Sequence, residues 1–297
     1  MAQFFNYFQF VLAPQMVNGL SIGVAVTLMA LGLTIIFGLL DVINMAHGEF
    51  YALGAFLGLT LAAFGIGFWA LLILVPLLMV PIGWATERLL IRRVFDSPDR
   101  HTLTLLLTFG LSMVLEDGYR LVYGPNTQRP EMPITGGGEI LGVFLPNYRI
   151  FLIVMGAAVI AAVWLVVYRT SLGAMVRAAA FDRLMASSLG VPVEHVFGGT
   201  FAFGVALAGL SGVLLAPVYS VFPTMGRDFI LMAFSVVIVG GMGSVAGTVI
   251  AGLLLTQIQS IASLYISPVW TDPIVFGIMV LVLMVRPAGL FGRLGHG

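Results

Sequence analysis

Asp41, Asn44, His47 and Glu49 fall within nine residues of Leu40–Phe56, between two long uncharged apolar runs, and no charged residue precedes Asp41. Ionisable groups beside such runs are expensive unless they pair, line a cavity or satisfy backbone groups. Two roles fit Asn44, His47 and Glu49. In one they line or gate a solute path. In the other they hold a helix break together, with Asn44 capping the next helix and Glu49 in its first turn, where the macrodipole favours negative charge. In either case the backbone here is interrupted at or inside a bilayer and faces protein or water. His47 is not read as a metal ligand, because no second His or Cys stands at ligand spacing.

A second candidate is Gly240-Gly241-Met242-Gly243-Ser244-Val245-Ala246-Gly247. As an unwound segment, its amides would meet a substrate carboxylate. Alternatively Gly243-x-x-x-Gly247 packs two helices closely. With 36 glycines such spacings recur, as in Gly19-x-x-x-Gly23 and Gly54-x-x-x-Gly58. Other chemistries are excluded. All 13 basic residues are arginine, so there is no P-loop lysine and no Schiff-base lysine, and any ATP must be bound by a different polypeptide. Without cysteine there is no thiolate metal site or thiol nucleophile. His-Glu-x-x-His does not occur, and the Gly-x-Ser-x-Gly spacing at Gly19–Gly23 lies inside an uncharged apolar run, so no catalytic residue, metal or cofactor is assigned.

The elements that must position these residues are membrane helices. Sixty per cent of the 297 residues are hydrophobic and 9% charged, where a soluble domain carries about 25% charged residues. The runs are continuous rather than alternating, which predicts an all-α polytopic bundle and not a barrel. Zero formal charge points to no nucleic-acid partner. Against the roughly 20 residues a crossing needs, spans are predicted near 15–39, 48–66, 68–91, 102–123, 149–168, 195–219, 229–240, 245–266 and 273–286, a bundle of about 8–10 helices in a single domain, 1–297. The pieces ending at Gly240 and at Arg286 are short. Interrupted segments in corresponding places of two halves mark a transporter site, so 40–56 and 240–247 are paired as pseudo-symmetric breaks meeting midway through the lipid. The N-terminal Met1–Phe10 lacks a signal peptide's basic region, so the first span is expected to be retained.

Arginine placement orients the chain. Arg88, Arg92, Arg93 and Arg100 crowd one short loop, and Arg169, Arg177 and Arg183 another, both placed on the cytoplasmic side. Arg286 and Arg293 put the C-terminus there too, and an odd span count leaves the N-terminus outside. Arg120, Arg129 and Arg149 fall on the opposite side, around a Pro/Gly-rich loop, with Glu116 and Asp117 as a solvated helix end. The segment 169–192 reads as helical. It starts at Thr170 or Ser171, stops at Gly190 and Pro192, and repeats Arg177, Phe181, Leu184 or Met185 and Ser188 on one face. Such a helix lies on lipid or docks on a partner.

Three motifs together resemble the permease subunits of branched-chain amino-acid ABC importers, the hydrophobic amino-acid uptake class that includes urea and amide permeases. They are Gly38–Glu49, Gly173–Ala178 continuing through Asp182–Val191, and Gly240–Gly247 with Arg286-Pro287-Ala288-Gly289-Leu290 closing the last span. In order and spacing they cover nearly the whole chain, and Asn-x-Ala-His-Gly-Glu is the most specific. The resemblance implies a bacterial inner-membrane complex. It contains this chain, a second homologous or identical permease chain, two cytoplasmic ATPase subunits and a periplasmic solute-binding protein. It implies that 169–192 is the coupling segment, with Arg177, Asp182, Arg183, Met185, Ala186 and Gly190 contacting the ATPase. Asn44, His47, Glu49, Gly240, Gly241, Gly243 and Ser244 are the candidate substrate-path residues, a role that the resemblance does not separate from holding the chain's breaks and close packing together. Leucine, isoleucine or valine is the implied solute, with urea, amides or aromatic acids as alternatives. The chain departs from the family at Phe181, where an acidic residue is common, and in Val24–Leu28, which lacks expected tyrosines. A self-contained carrier coupled through Asp41, His47 or Glu49 is the competing class.

Overall fold

Two helices of 28 and 27 residues form the centre of the molecule, and each ends on a non-glycine residue with positive φ. The computed structural model describes residues 7–95, 97–140 and 143–292. Met1–Asn6 and Arg293, used above for the N-terminal reading and the C-terminal side, lie outside the described residues.

Helix α1 (Ala13–Leu40) carries Pro14 in its first turn, where a missing N–H costs nothing, and stops at Asp41 with φ 52°. An extended stretch leads to α2 (His47–Ala63). Helix α3 (Phe68–Thr86) tolerates Pro76 and Pro81 and continues through a wide turn, Glu87–Ile91, to Val94. Helix α4 (Arg100–Tyr123) leads into the Pro/Gly-rich connection, expected as loop. That connection instead folds into an antiparallel hairpin, β1 (Gly137–Ile140) with β2 (Val143–Pro146), pairing Gly137 with Pro146 and Ile140 with Val143. Helix α5 (Asn147–Arg169) and the short pair α6 (Ser171–Phe181) and α7 (Arg183–Ser188) precede α8 (Val193–Tyr219). Helix α8 ends at Ser220 with φ 67°. Then come α9 (Met225–Gly240), α10 (Val245–Ala262) and α11 (Thr271–Val285).

The packing is mirrored. Helix α1 lies along α10 as α8 lies along α3, and α2 packs on α8 as α9 packs on α1. Burial follows this plan: the most apolar windows of α1 and α8 are 83% and 89% buried, against 28% for α3 and 17% for α5. Thus α1 and α8 form the core, whereas α3 and α5 present apolar surface outward. Close approach comes from small residues. Gly54 faces the Gly209 backbone, and Gly19 and Gly23 face Ser260 and Thr256 of α10, where a Cβ would collide. Those two Gly-x-x-x-Gly spacings are packing faces after all.

Five described helices are long and apolar enough to cross a membrane: Phe8–Gly38, Phe68–Val94, Asn147–Arg169, Val193–Tyr219 and Val245–Ala262. The other four predicted spans differ for physical reasons. Helices α2, α9 and α11 have 17, 16 and 15 residues, and the 24-residue α4 is not apolar enough, carrying Arg100, Glu116, Asp117 and Arg120. Arg88, Arg92 and Arg93 prolong α3 rather than occupying a loop, and Arg92 ties this end together by bonding Glu87 at 3.0 Å and Glu194 at 3.0 Å.

Candidate functional site

The first break is held by its own polar residues. Asn44 Oδ1 accepts the Ala46 N–H at 3.1 Å and its carbonyl accepts the His47 N–H at 3.3 Å. Asn44 therefore closes the turn before α2 rather than bonding an amide inside the helix, whose N-cap position is Ala46. His47 Nε2–H donates to the Met29 carbonyl at 3.1 Å. Met29 lies eleven residues before the end of α1, so His47 sits about 16 Å from that end at 1.5 Å per residue. The extended segment has climbed back along α1, and α2 begins inside the bundle. Asn44, His47 and Glu49 are all buried, and Asn44 Nδ2, His47 Nδ1 and Glu49 Oε2 have no hydrogen-bond partner among the described residues. Glu49 stands in the first turn of α2 as expected, and its carbonyl accepts the Tyr119 hydroxyl at 2.8 Å.

The counterpart of this break is not Gly240–Gly247. It is Ser220–Thr224, where α8 ends and a descending stretch, bridged at Val221 to Gln128, leads to α9. The two half-helices touch at their beginnings. A Cβ on Gly48 would strike the Gly226 carbonyl, and one on Gly226 would lie 2.6 Å from the Glu49 carboxyl. This second break carries no charge, so the sequence pattern that marked the first passes over it. Its available signal is Pro217 and Pro223 bracketing Ser220, followed by Met225-Gly226-Arg227-Asp228 in the place of His47-Gly48-Glu49.

Gly240–Gly247 has another task. Gly241 and Gly243 take φ of 100° and 80°, the Gly240 and Gly247 backbones oppose each other, and the Ser244 hydroxyl caps α10 by accepting the Gly247 N–H at 3.1 Å. The segment after α11 docks here, Leu290 N–H on the Val239 carbonyl at 2.8 Å and Phe291 N–H on that of Gly240 at 3.1 Å. Gly243 precedes α10, so Gly243-x-x-x-Gly247 is not one helical face. The glycine turn does meet the first break, since Gly243 packs on Gly38. The meeting point is not midway along the bundle. It lies at the end marked by Asp41, which pairs with Arg100 at 3.2 Å, and by Arg183.

The segment 169–192 is two helices, not one. Thr170 caps α6 by accepting the Gly173 N–H at 3.1 Å; the backbone then turns extended at Asp182, which caps α7 by accepting the Met185 N–H at 2.9 Å. The supposed contact residues divide accordingly. Arg177 bonds the Val167 carbonyl and lies over Tyr168; Ala186 is buried; Gly190 ends the turn with φ 86°; Arg183 lies over the rings of Phe95, at 4.8 Å, and Phe197. Met185 is exposed, but so are Phe181, Leu184 and Leu189, the first 94% exposed.

Glu116 is not a solvated helix end. Only 14% exposed, it binds Arg120 at 2.5 Å on its own helix and Arg227 of α9 at 2.8 and 3.0 Å. These groups and Glu49 line a cavity of about 360 Å³ between α4 and the start of α9. Groups of three or more His, Cys, Asp or Glu able to hold a metal are absent among the described residues.

Comparison with known proteins finds relatives over nearly the whole chain. Residues 15–284 match the family model described as branched-chain amino acid transport system / permease component. The high-affinity branched-chain amino acid transport system permease protein LivH of Salmonella typhimurium is 31% identical over 99% of this chain and 98% of its own length. LivH of Escherichia coli and BraD of Pseudomonas aeruginosa, described in the same words, are likewise 31% identical over 99% of this chain and 98% of theirs. No solved structure matches the chain.

Proposed function

The chain belongs to the family of branched-chain amino acid transport system permease components, and from this we propose that it translocates leucine, isoleucine, valine or related hydrophobic amino acids across a bacterial inner membrane, driven by separate ATPase subunits. The energy comes from ATP bound by two cytoplasmic partners, a second permease chain completes the path, and a periplasmic binding protein delivers the solute. The arginine-rich end of the bundle, with the C-terminus, faces the cytoplasm, as the positive-inside rule favours.

One observation carries the coupling role. On α6, on α7 and just after α7, the side chains of Phe181, Leu184 and Leu189 are 94%, 81% and 77% exposed and project from a folded elbow. A row of bare apolar side chains at the charged end of a bundle is a surface awaiting a partner. The elbow is also wired inward. Arg183 lies over Phe95, Arg100 lies over the same ring and pairs with Asp41, and Gly38 touches Gly243 nearby. A push on α7 thus reaches the lower end of the first break, where Gly240, Gly241, Gly243 and Ser244 form the inner closure of the path, while Asn44, His47 and Glu49 stand above it.

The test is co-purification with the ATPase and ATP-driven uptake in proteoliposomes. Phe181→Glu with Leu189→Glu abolishes both and leaves the detergent-solubilised chain folded, because neither side chain packs on it. Retention of ATPase binding would remove the elbow from the coupling path. Arg177, Asp182, Arg183, Met185, Ala186 and Gly190 contribute to docking chiefly by shaping this elbow, Met185 being exposed enough to touch the partner directly.

A further inference from the structure

The cavity between α4 and the start of α9 has a charge balance that selects its ligand. Three carboxylates line it (Glu49, Glu116 and Asp117) against two guanidiniums, Arg120 and Arg227. Glu116 is satisfied twice over, by Arg120 and Arg227, and Asp117 lies 3.7 Å from Arg120. The carboxylate in excess is Glu49, 2% exposed with Oε2 unpartnered among the described residues. A buried carboxylate oxygen without a partner calls for a hydrogen-bond donor, and a cationic donor meets it most strongly. The guanidiniums keep donors to spare, since Arg227 is 61% exposed and each guanidinium has five N–H groups. Met45, Phe109, Met113 and Ile230, together with Ser112, form the remaining wall. The volume of about 360 Å³ lies within the roughly 300–1,000 Å³ typical of small-molecule sites.

The cluster is also placed where hydrocarbon would not be tolerated. Glu116 lies seven residues before the end of α4, about 10 Å along its axis. Charges at that depth border water or another protein chain rather than lipid. We propose that this cavity binds the head group of a zwitterionic α-amino acid during passage, its ammonium on Glu49, its carboxylate on Arg227 and Arg120, and its side chain against Phe109 and Met113. This rests on the amino-acid reading above and sharpens it. A neutral urea or amide leaves Glu49 without a counter-charge, and an aromatic acid lacking an amine is repelled by it.

The experiment uses the complete permease–ATPase complex with its binding protein in liposomes. Wild type imports leucine on addition of ATP; if it imports no amino acid, the functional reading itself fails and the head-group site with it. With wild type active, Glu49→Gln lowers leucine uptake at least roughly tenfold, the cost of a lost charge-assisted contact. ATP hydrolysis stimulated by the loaded binding protein persists, which a merely structural defect would not allow, and Glu49→Asp recovers part of the uptake. Uptake within twofold of wild type in Glu49→Gln would overturn the site alone. Should that variant fail to assemble, Met113→Cys decides, since it gives this cysteine-free chain a single thiol on the cavity wall. Leucine during turnover slows its modification by a cationic thiol reagent several-fold, and an unchanged labelling rate would overturn the proposal.

Discussion

The break after α1 and the break after α8 perform the same backbone manoeuvre with different means. Each follows a long buried helix and turns on a non-glycine residue of positive φ, Asp41 at 52° and Ser220 at 67°. Each then runs extended into the bundle and starts a shorter helix whose second residue is glycine. The first is fastened by side-chain polarity: Asn44 on Ala46, His47 on Met29, Asp41 on Arg100. The second is fastened by a backbone bridge to Gln128 and by rings, with Phe229 against Tyr51 at 4.6 Å and Tyr219 at 5.2 Å. Freed backbone groups can thus be managed by polar hooks or by packing, and only hooks announce themselves in a sequence.

The comparison can be broken most severely where the two half-helices touch. Gly48→Val drives carbon into the Gly226 carbonyl and to within 2.7 Å of Ile230 Cβ, which neither side can yield easily. A loss of about 3 kcal/mol is expected from such overpacking, read as a fall in thermal midpoint in detergent and in folded yield. The atoms nearest a Gly226→Ala methyl are those of the Glu49 carboxyl, the far end of a flexible side chain, and the change costs about half as much. Equal losses would show that the junction is backbone-limited from both sides.

Removing a hook comes next. His47→Ala deletes the bond to Met29 and empties a buried site, for an expected loss of about 2 kcal/mol. Asn44→Ala leaves the Ala46 amide unpaired and costs about 1 kcal/mol. If neither shifts the thermal midpoint, the first break is held by packing, as the second is.

The smallest effects come from the turn residues and have the opposite sign. Ser220 sits at φ 67°, ψ 171°, a region almost confined to glycine, so Ser220→Gly stabilises by about 1 kcal/mol. Asp41→Gly gains similar backbone relief but gives up the exposed pair with Arg100, leaving a net change of about zero. Thermal midpoints of the two variants side by side measure that difference. A larger gain at Asp41 would mean that its ion pair contributes nothing.

The residues themselves explain what could be read in advance. Membrane class, helical content, nearly every helix position and the first break follow from long apolar runs and from charges standing where charges are costly, which is local information. The cap at Thr170 was legible from local start signals, whereas Ser244 was read as a substrate-path residue and not as a cap. Asp182 was visible as a charge but not as the point where one expected helix becomes two, because Arg183 leaves the helical line to lie on Phe95 and Phe197 from other elements. Glu116 looked solvated because its second partner, Arg227, is 111 residues away.

The sequence by itself determined that this chain is a helical membrane protein of the permease family, interrupted at Asp41–His47. Only the tertiary structure decided that Ser220–Thr224 mirrors that interruption, that Gly240–Gly247 clasps the C-terminal segment, and that Glu49 shares a cavity with Glu116 and Arg227. The reason is physical: composition and periodicity act over a few turns of chain, whereas a close approach of two backbones or a surplus charge in a cavity exists only once distant segments are packed together.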